Sequence, residues 1–141
     1  MSDVDLPGWE PGTVVVLSTA GAAPHAIPVS AALRDGARGI LLALARRRQS
    51  LARLRAEPRV AVTVMARASA FTAHGAATVV EEALVEAANV AAVRVVVDRV
   101  QDHLTPAFEI HAGVGWAWVD DAARERDRAV RDGLLRLSGR G

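Results

Sequence analysis

The chain has 141 residues, 51% of them hydrophobic and 23% charged, which suits one ordinary core and one domain. It contains no cysteine, which excludes disulfides, thiolate metal sites, iron–sulfur clusters and a cysteine nucleophile. All 17 basic residues are arginine, so no lysine Schiff base can form, and a net charge of +1 argues against a broad nucleic-acid-binding face.

Residues 1–12 hold two prolines and two glycines and read as an arm ahead of a single domain over 13–141, with Trp9 able to pack on the body. Asp3, Asp5 and Glu10 in that arm, with no apolar run behind basic residues, do not suit a secretory leader. No later stretch is both long and uncharged enough to span a bilayer. The expectation is a cytoplasmic protein without a membrane partner.

From Thr13 the β-branched run TVVVLSTA ends at the small-residue turn AGAAP and predicts the first strand of a hairpin. In PHAIPVSAAL, Ile27, Val29, Ala31 and Leu33 alternate with the intervening positions, the pattern of a half-buried strand. Pro28 lacks an amide hydrogen and belongs at an edge or bulge. After the turn at Asp35 and Gly36, GILLALA is apolar on both faces and predicts a strand covered on both sides. RRRQS follows, then LARLRAE gives two helical turns burying Leu51 and Leu54, stopped by Pro58.

RVAVTVMA and AFTAHGAATVV are two further alternating strands, with a bulge or close backbone approach expected at Gly75. EEALVEAAN is composed of helix formers, whereas VAAVRVVVDRV is read as a strand because consecutive β-branched residues lose rotamer freedom in a helix. In FEIHAGVGWAWV the even positions Phe108 to Trp118 are all apolar, which predicts another strand with Trp116 and Trp118 on one face. The tail from Asp120 has acids at its start and Val130, Leu134 and Leu137 at helical spacing, so it predicts an amphipathic terminal helix. Six or seven strands, a short internal helix and a C-terminal helix make a mainly β small barrel.

The stretch LALARRRQSLARLRAEPRVAV carries most of the chemistry. A strand delivers Arg46, Arg47, Arg48, Gln49 and the candidate cap Ser50 to a helix start, where backbone amides and guanidinium groups suit a phosphate. On charge alone the same residues also read as a solvated basic loop. The four histidines do not fall at metal-ligand spacings, no GxSxG elbow surrounds any serine, and there is no tyrosine to act as an acid. GVG before Trp116 lacks the rest of a dinucleotide fingerprint, and 4% aromatic residues give few stacking platforms for nucleic acid. Trp116 and Trp118 read first as core or interface anchors, and second as a border of a ligand pocket.

In order and spacing, VVLSTAGAAPHAIPV, GILLALA, RRRQS, LARLRAEP and RVAVTV resemble the FMN-binding split-barrel family related to pyridoxamine 5'-phosphate oxidase. VRVVVDRVQDH, FEIHAGVGWAWVDD and the terminal helix are similar to a short subgroup of it, so the resemblance covers nearly the whole chain. It implies an antiparallel split β-barrel, a homodimer with two equivalent sites, and FMN as cofactor, with deazaflavin or haem in related subgroups. The phosphate would lie against Leu44, Ala45, Arg46, Arg47, Arg48, Gln49 and Ser50, and the ring against Pro28, Val29 and Ser30, with His25 near the ribityl chain or phosphate.

The family's Ser-Arg-Lys triplet is Arg48, Gln49 and Ser50 here, so its lysine is absent and the charge lies earlier, on Arg46 to Arg48. No arginine- and histidine-rich segment follows Trp118, so oxidation of vitamin B6 is not implied. His74 and Gly75 fall on a strand that the family places near the dimer interface, where packing is their first reading. The resemblance implies hydride or electron transfer through the flavin to an unidentified small substrate, with catalytic residues unassigned. The alternative is a non-catalytic dimeric module that holds a cofactor as sensor or store.

Overall fold

The computed structural model describes residues 4–139. Seven strands and two helices follow one another as β1 (Val15–Thr19), β2 (His25–Val29), β3 (Ala32–Arg34), β4 (Gly39–Ala45), α1 (Gln49–Ala56), β5 (Arg59–Ala66), β6 (Ser69–Glu81), β7 (Val90–Asp102) and α2 (Asp121–Leu137). All seven strands join one sheet in the order β2-β1-β5-β6-β7-β4-β3, and every pairing is antiparallel.

That order forces the sheet to curl. β2 and β3 are its two outermost strands, yet only Ser30 and Ala31 separate them in the chain. Two linking residues span on the order of 10 Å, so the two edges must come close together. The Ala43 amide donates to the Ala31 carbonyl at 3.0 Å, which extends the β3–β4 ladder into this two-residue link. The result is a seven-stranded curled half-barrel, mainly β, with one internal and one C-terminal helix.

Alternation sets what faces inward. Val15 and Leu17 of β1, Val60, Val62 and Val64 of β5, Phe71 and Ala73 of β6, and Ile40, Leu42 and Leu44 of β4 share one buried cluster. Leu51 and Leu54 bring α1 onto the same cluster, as their helical spacing predicts. β4 is buried on both faces, and on its outer face Leu41 joins Ala31, Leu84, Ala92, Leu134 and Leu137 in a second cluster beneath α2. Gly133 permits that close approach: a Cβ there would lie 2.9 Å from Glu86 Oε1 and 3.1 Å from a Leu84 methyl.

Pro28 lies on the edge strand β2, where its missing amide hydrogen costs no ladder bond. The register between β6 and β7 shifts between His74 and Gly75, and a Cβ on Gly75 would meet the Val96 carbonyl at 2.2 Å. Gly75 therefore faces a bulge, whose extra residue is Asp98 of β7, and is itself a close approach where only glycine fits.

Three sequence expectations fail. The alternating run from Ile27 to Leu33 is not one strand but two, β2 and β3, parted at Ser30 and Ala31 and lying on opposite edges of the sheet, while the helix formers of 82–89 make turns in which the Ala87 amide donates to Leu84 and the Val90 amide to Ala87. Residues 108–119 make no strand despite their alternating apolar positions. Strand formation needs a partner edge, and there the Ala68 amide, in the turn between β5 and β6, donates to the Ile110 carbonyl at 2.8 Å without starting a ladder. Trp116 instead donates its indole N–H to the Gly12 carbonyl at 2.8 Å and stacks edge-on against Trp118 at 5.0 Å.

The described part of the arm is coil but is tied down. Leu6 is fully buried in the barrel core, its amide donates to Ala37 and its carbonyl accepts from Arg34. Trp9 donates to the Ala32 carbonyl at 2.9 Å and packs 6.1 Å from Phe71. The arm thus stoppers the barrel. No helix among the described residues is long and apolar enough to cross a membrane.

Candidate functional site

Where β2 ends and the chain crosses the seam, a cleft of about 560 Å³ opens between the barrel and α2. Pro28, Val29, Ser30, Leu44, Ala45 and Arg48 line its barrel side. Its size falls in the range usual for small-molecule sites. The strand ends supply an apolar slot, and Arg48 brings charge from the turn between β4 and α1.

The other predicted residues surround this wall without lining it. Arg46 is spent on structure: its amide donates to the Asn89 carbonyl at 3.0 Å and its guanidinium reaches the Ala88 carbonyl at 3.5 Å. Arg47 and Gln49 are exposed beside Arg48. Ser50 is fully buried and does not cap α1; its Oγ lies 3.4 Å from His25 Nε2. Arg48 holds the cap position of α1 instead and makes no side-chain capping bond, so the first amides of the helix lack the usual side-chain acceptor.

The far side of the cleft was not legible as a site in the sequence. It consists of the turn residues Glu86, Ala87 and Asn89, Val90 of β7, Trp118, and the α2 residues Ala123, Arg126, Asp127, Ala129 and Val130. Asp120 fixes the start of α2 by accepting from the Ala123 amide at 2.8 Å. The only sequence signal for this wall was the tryptophan pair, of which Trp118 borders the cleft and Trp116 does not.

Charge in the cleft is unevenly balanced. Both acids are occupied: Glu86 takes Arg136 at 2.7 Å, and Asp127 takes Arg131 at 2.7 Å. Hydrogen bonds from Arg136 hold the Glu86 and Glu81 carboxyls below the ordinary glutamate range. Arg48 and Arg126, in contrast, have no carboxylate partner among the described residues. An anion entering this cleft meets positive charge that no carboxylate among the described residues compensates.

Elsewhere, His74 faces Gln101 at 3.4 Å on the exposed outer surface of the sheet. His103 closes a chain of side-chain contacts through Thr72 at 2.7 Å to Thr63 at 2.9 Å. Neither histidine lines the cleft.

No protein-family model and no curated protein sequence matches the chain. Solved structures do. A crystal structure of a putative pyridoxamine 5'-phosphate oxidase from Listeria innocua superposes with a TM-score of 0.56 at 16% identity, covering 66% of this chain and 90% of that one. A FAD-binding protein from Mesorhizobium loti matches with a TM-score of 0.53 at 14% identity over 62% of this chain and 83% of that one. A haem-binding protein from Mycobacterium smegmatis matches with a TM-score of 0.51 at 19% identity over 64% of this chain and 48% of that one. The curled sheet, the internal helix after its fourth strand and these likenesses agree: the chain has the split-barrel fold of the pyridoxamine 5'-phosphate oxidase-like proteins.

Proposed function

We propose that this protein binds a flavin-type cofactor, FMN in the first place, in the cleft beside β2 and α1, and serves as a cytoplasmic oxidoreductase acting on a small substrate. One observation carries the reading: six of the residues that the family resemblance assigns to a flavin site, Pro28, Val29, Ser30, Leu44, Ala45 and Arg48, line a single cleft.

The donor set suits the group. An apolar slot accepts a planar ring, and the Ser30 hydroxyl can exchange hydrogen bonds with its polar edge. Arg48, at the cap position of α1, suits a phosphate. A bound flavin would supply hydride or electron transfer. The acids of the cleft are held by arginines, so the protein's part is position and electrostatics and not acid–base chemistry. A two-fold homodimer with two such sites belongs to this reading, with no nucleic-acid or membrane partner.

The test is an absorbance spectrum of the concentrated protein, then titration with FMN, a deazaflavin and haem followed by tryptophan emission. Trp118 borders the cleft, so cofactor entry quenches fluorescence. Saturable micromolar binding of FMN is expected, weakened by joint replacement of Arg47 and Arg48 with alanine. Binding of none of the three overturns the reading and leaves a dimeric module without cofactor.

A further inference from the structure

The phosphate site implied by the family resemblance has lost its lysine, and of the three arginines that precede α1 only Arg48 lines the cleft. A phosphate there needs a second cation. The C-terminal helix carries five arginines, and four of them are neutralised: Arg124 by Asp121, Arg128 by Glu125, Arg131 by Asp127, and Arg136 by Glu81 and Glu86. The fifth, Arg126, has no carboxylate partner among the described residues, and it is the α2 arginine that lines the cleft.

We infer that Arg126 is a phosphate-binding residue of the cofactor cleft, supplied by α2 in place of the missing lysine, so that the anion is held between Arg126 and Arg48 from opposite walls. The inference rests on the reading above and extends it to a helix that the resemblance did not assign to the site. Two observations support it beyond the lone charge. The acids that would otherwise quench Arg126 within the cleft, Glu86 and Asp127, are both committed to other arginines. And α2 is fastened beside the cleft, where Arg131 donates to the Ser30 carbonyl at 3.1 Å, and at its end, where Arg94 donates to the Leu137 carbonyl at 3.0 Å. A guanidinium offers a planar fork to phosphate oxygens, the geometry for which arginine is suited.

FMN and riboflavin separate the phosphate from the ring. In Arg126→Ala, FMN affinity is expected to fall about tenfold or more, the loss typical of one charge-assisted pair, while riboflavin affinity stays that of the unaltered protein. Arg128→Ala, which removes an ion-paired arginine from the same helix, serves as the control and leaves both affinities unchanged. Arg126 is exposed, so its removal should not shift the melting temperature. Unchanged FMN binding in Arg126→Ala overturns the inference and leaves the flavin reading standing. A parallel loss of riboflavin also overturns it, since it would show a role in holding the cleft's shape. Failure of the unaltered protein to bind FMN removes both.

Discussion

Leu41 and Leu42 are neighbours in β4 and both fully buried, yet they belong to different structures. Leu42 points into the barrel, where it meets side chains from β1, β5, β6 and β7 in a cluster that is apolar throughout. Leu41 points outward under α2, into a smaller cluster whose rim is fastened by Arg94 to Asp35, Arg131 to Asp127, and Arg136 to Glu81 and Glu86. One layer is held by burial, the other by less burial and more charge. The candidate cleft lies on the seam between them, so its barrel wall is fixed while its helix wall is only as firm as the arginine clamps.

Truncating the two leucines would expose this difference most strongly. Leu42→Ala should cost about 3 kcal/mol, as large-to-small changes in close-packed cores do. The loss should be global, lowering the urea midpoint and hydrogen-exchange protection across all the central strands. Leu41→Ala removes the same atoms but should first deprotect α2 and the turns 82–89, with β1 and β5 largely spared. Equal loss of protection throughout the barrel in Leu41→Ala would show that the two layers are one cooperative unit.

Arg94 is the clamp to break next. Its guanidinium pairs with Asp35, both side chains being about nine-tenths covered, and also donates to the Leu137 carbonyl, while Asp35 accepts from the Gly139 amide at 2.8 Å. Arg94→Leu would leave the Asp35 carboxylate largely buried and without its cation, at a cost of about 2 kcal/mol. The double variant with Asp35→Asn should recover part of that loss in thermal melts. No recovery would mean that Arg94 acts through packing alone.

How much of this was legible beforehand differs between the layers in the same way. The barrel declared itself through local rules: period-2 alternation in β1, β5 and β6, double-sided apolarity in β4, an edge proline at Pro28 and a bulge opposite Gly75. The barrel wall of the cleft followed, because its residues lie within or beside those elements. The segment 108–119 misled because alternation reports which positions are apolar and cannot report whether a free sheet edge exists to pair with. The helix wall was hidden for a related reason. α2 was legible as a helix, but which of its arginines is left unneutralised depends on partners up to 55 residues away, at Glu81 and Glu86.

Acid should loosen the helix layer before the barrel. The Glu81 and Glu86 carboxyls are depressed in the folded state, chiefly by hydrogen bonds from Arg136. A depressed folded pKa gives stabilisation that is complete above the unfolded value, about 4.3 for glutamate, and is lost as pH falls through the lower folded value. Hydrogen exchange of α2 should therefore accelerate below about pH 4 relative to β5 and β6. In Arg136→Met that difference should shrink, since the carboxyls then titrate near their ordinary value in both states. An unaltered acid response in Arg136→Met would assign it to other carboxylates.

The smallest effect concerns a buried hydroxyl in the barrel layer. Thr19 sits at the end of β1, opposite His25 and Val60, with only 5% exposure. Among the described residues its Oγ1 is the buried side-chain polar atom without a hydrogen-bond partner. Such a hydroxyl has given up water and gained nothing in exchange. Valine has nearly the same shape and a good strand propensity. Thr19→Val should thus raise stability by about 1 kcal/mol, read as a higher urea midpoint with an unchanged slope. The gain should fall on the barrel strands and α2 alike, because the inner core is the part that both layers depend on. A lowered midpoint would instead mean that the hydroxyl has a partner in solution, and that the apolar character of the inner core is not what holds this end of β1.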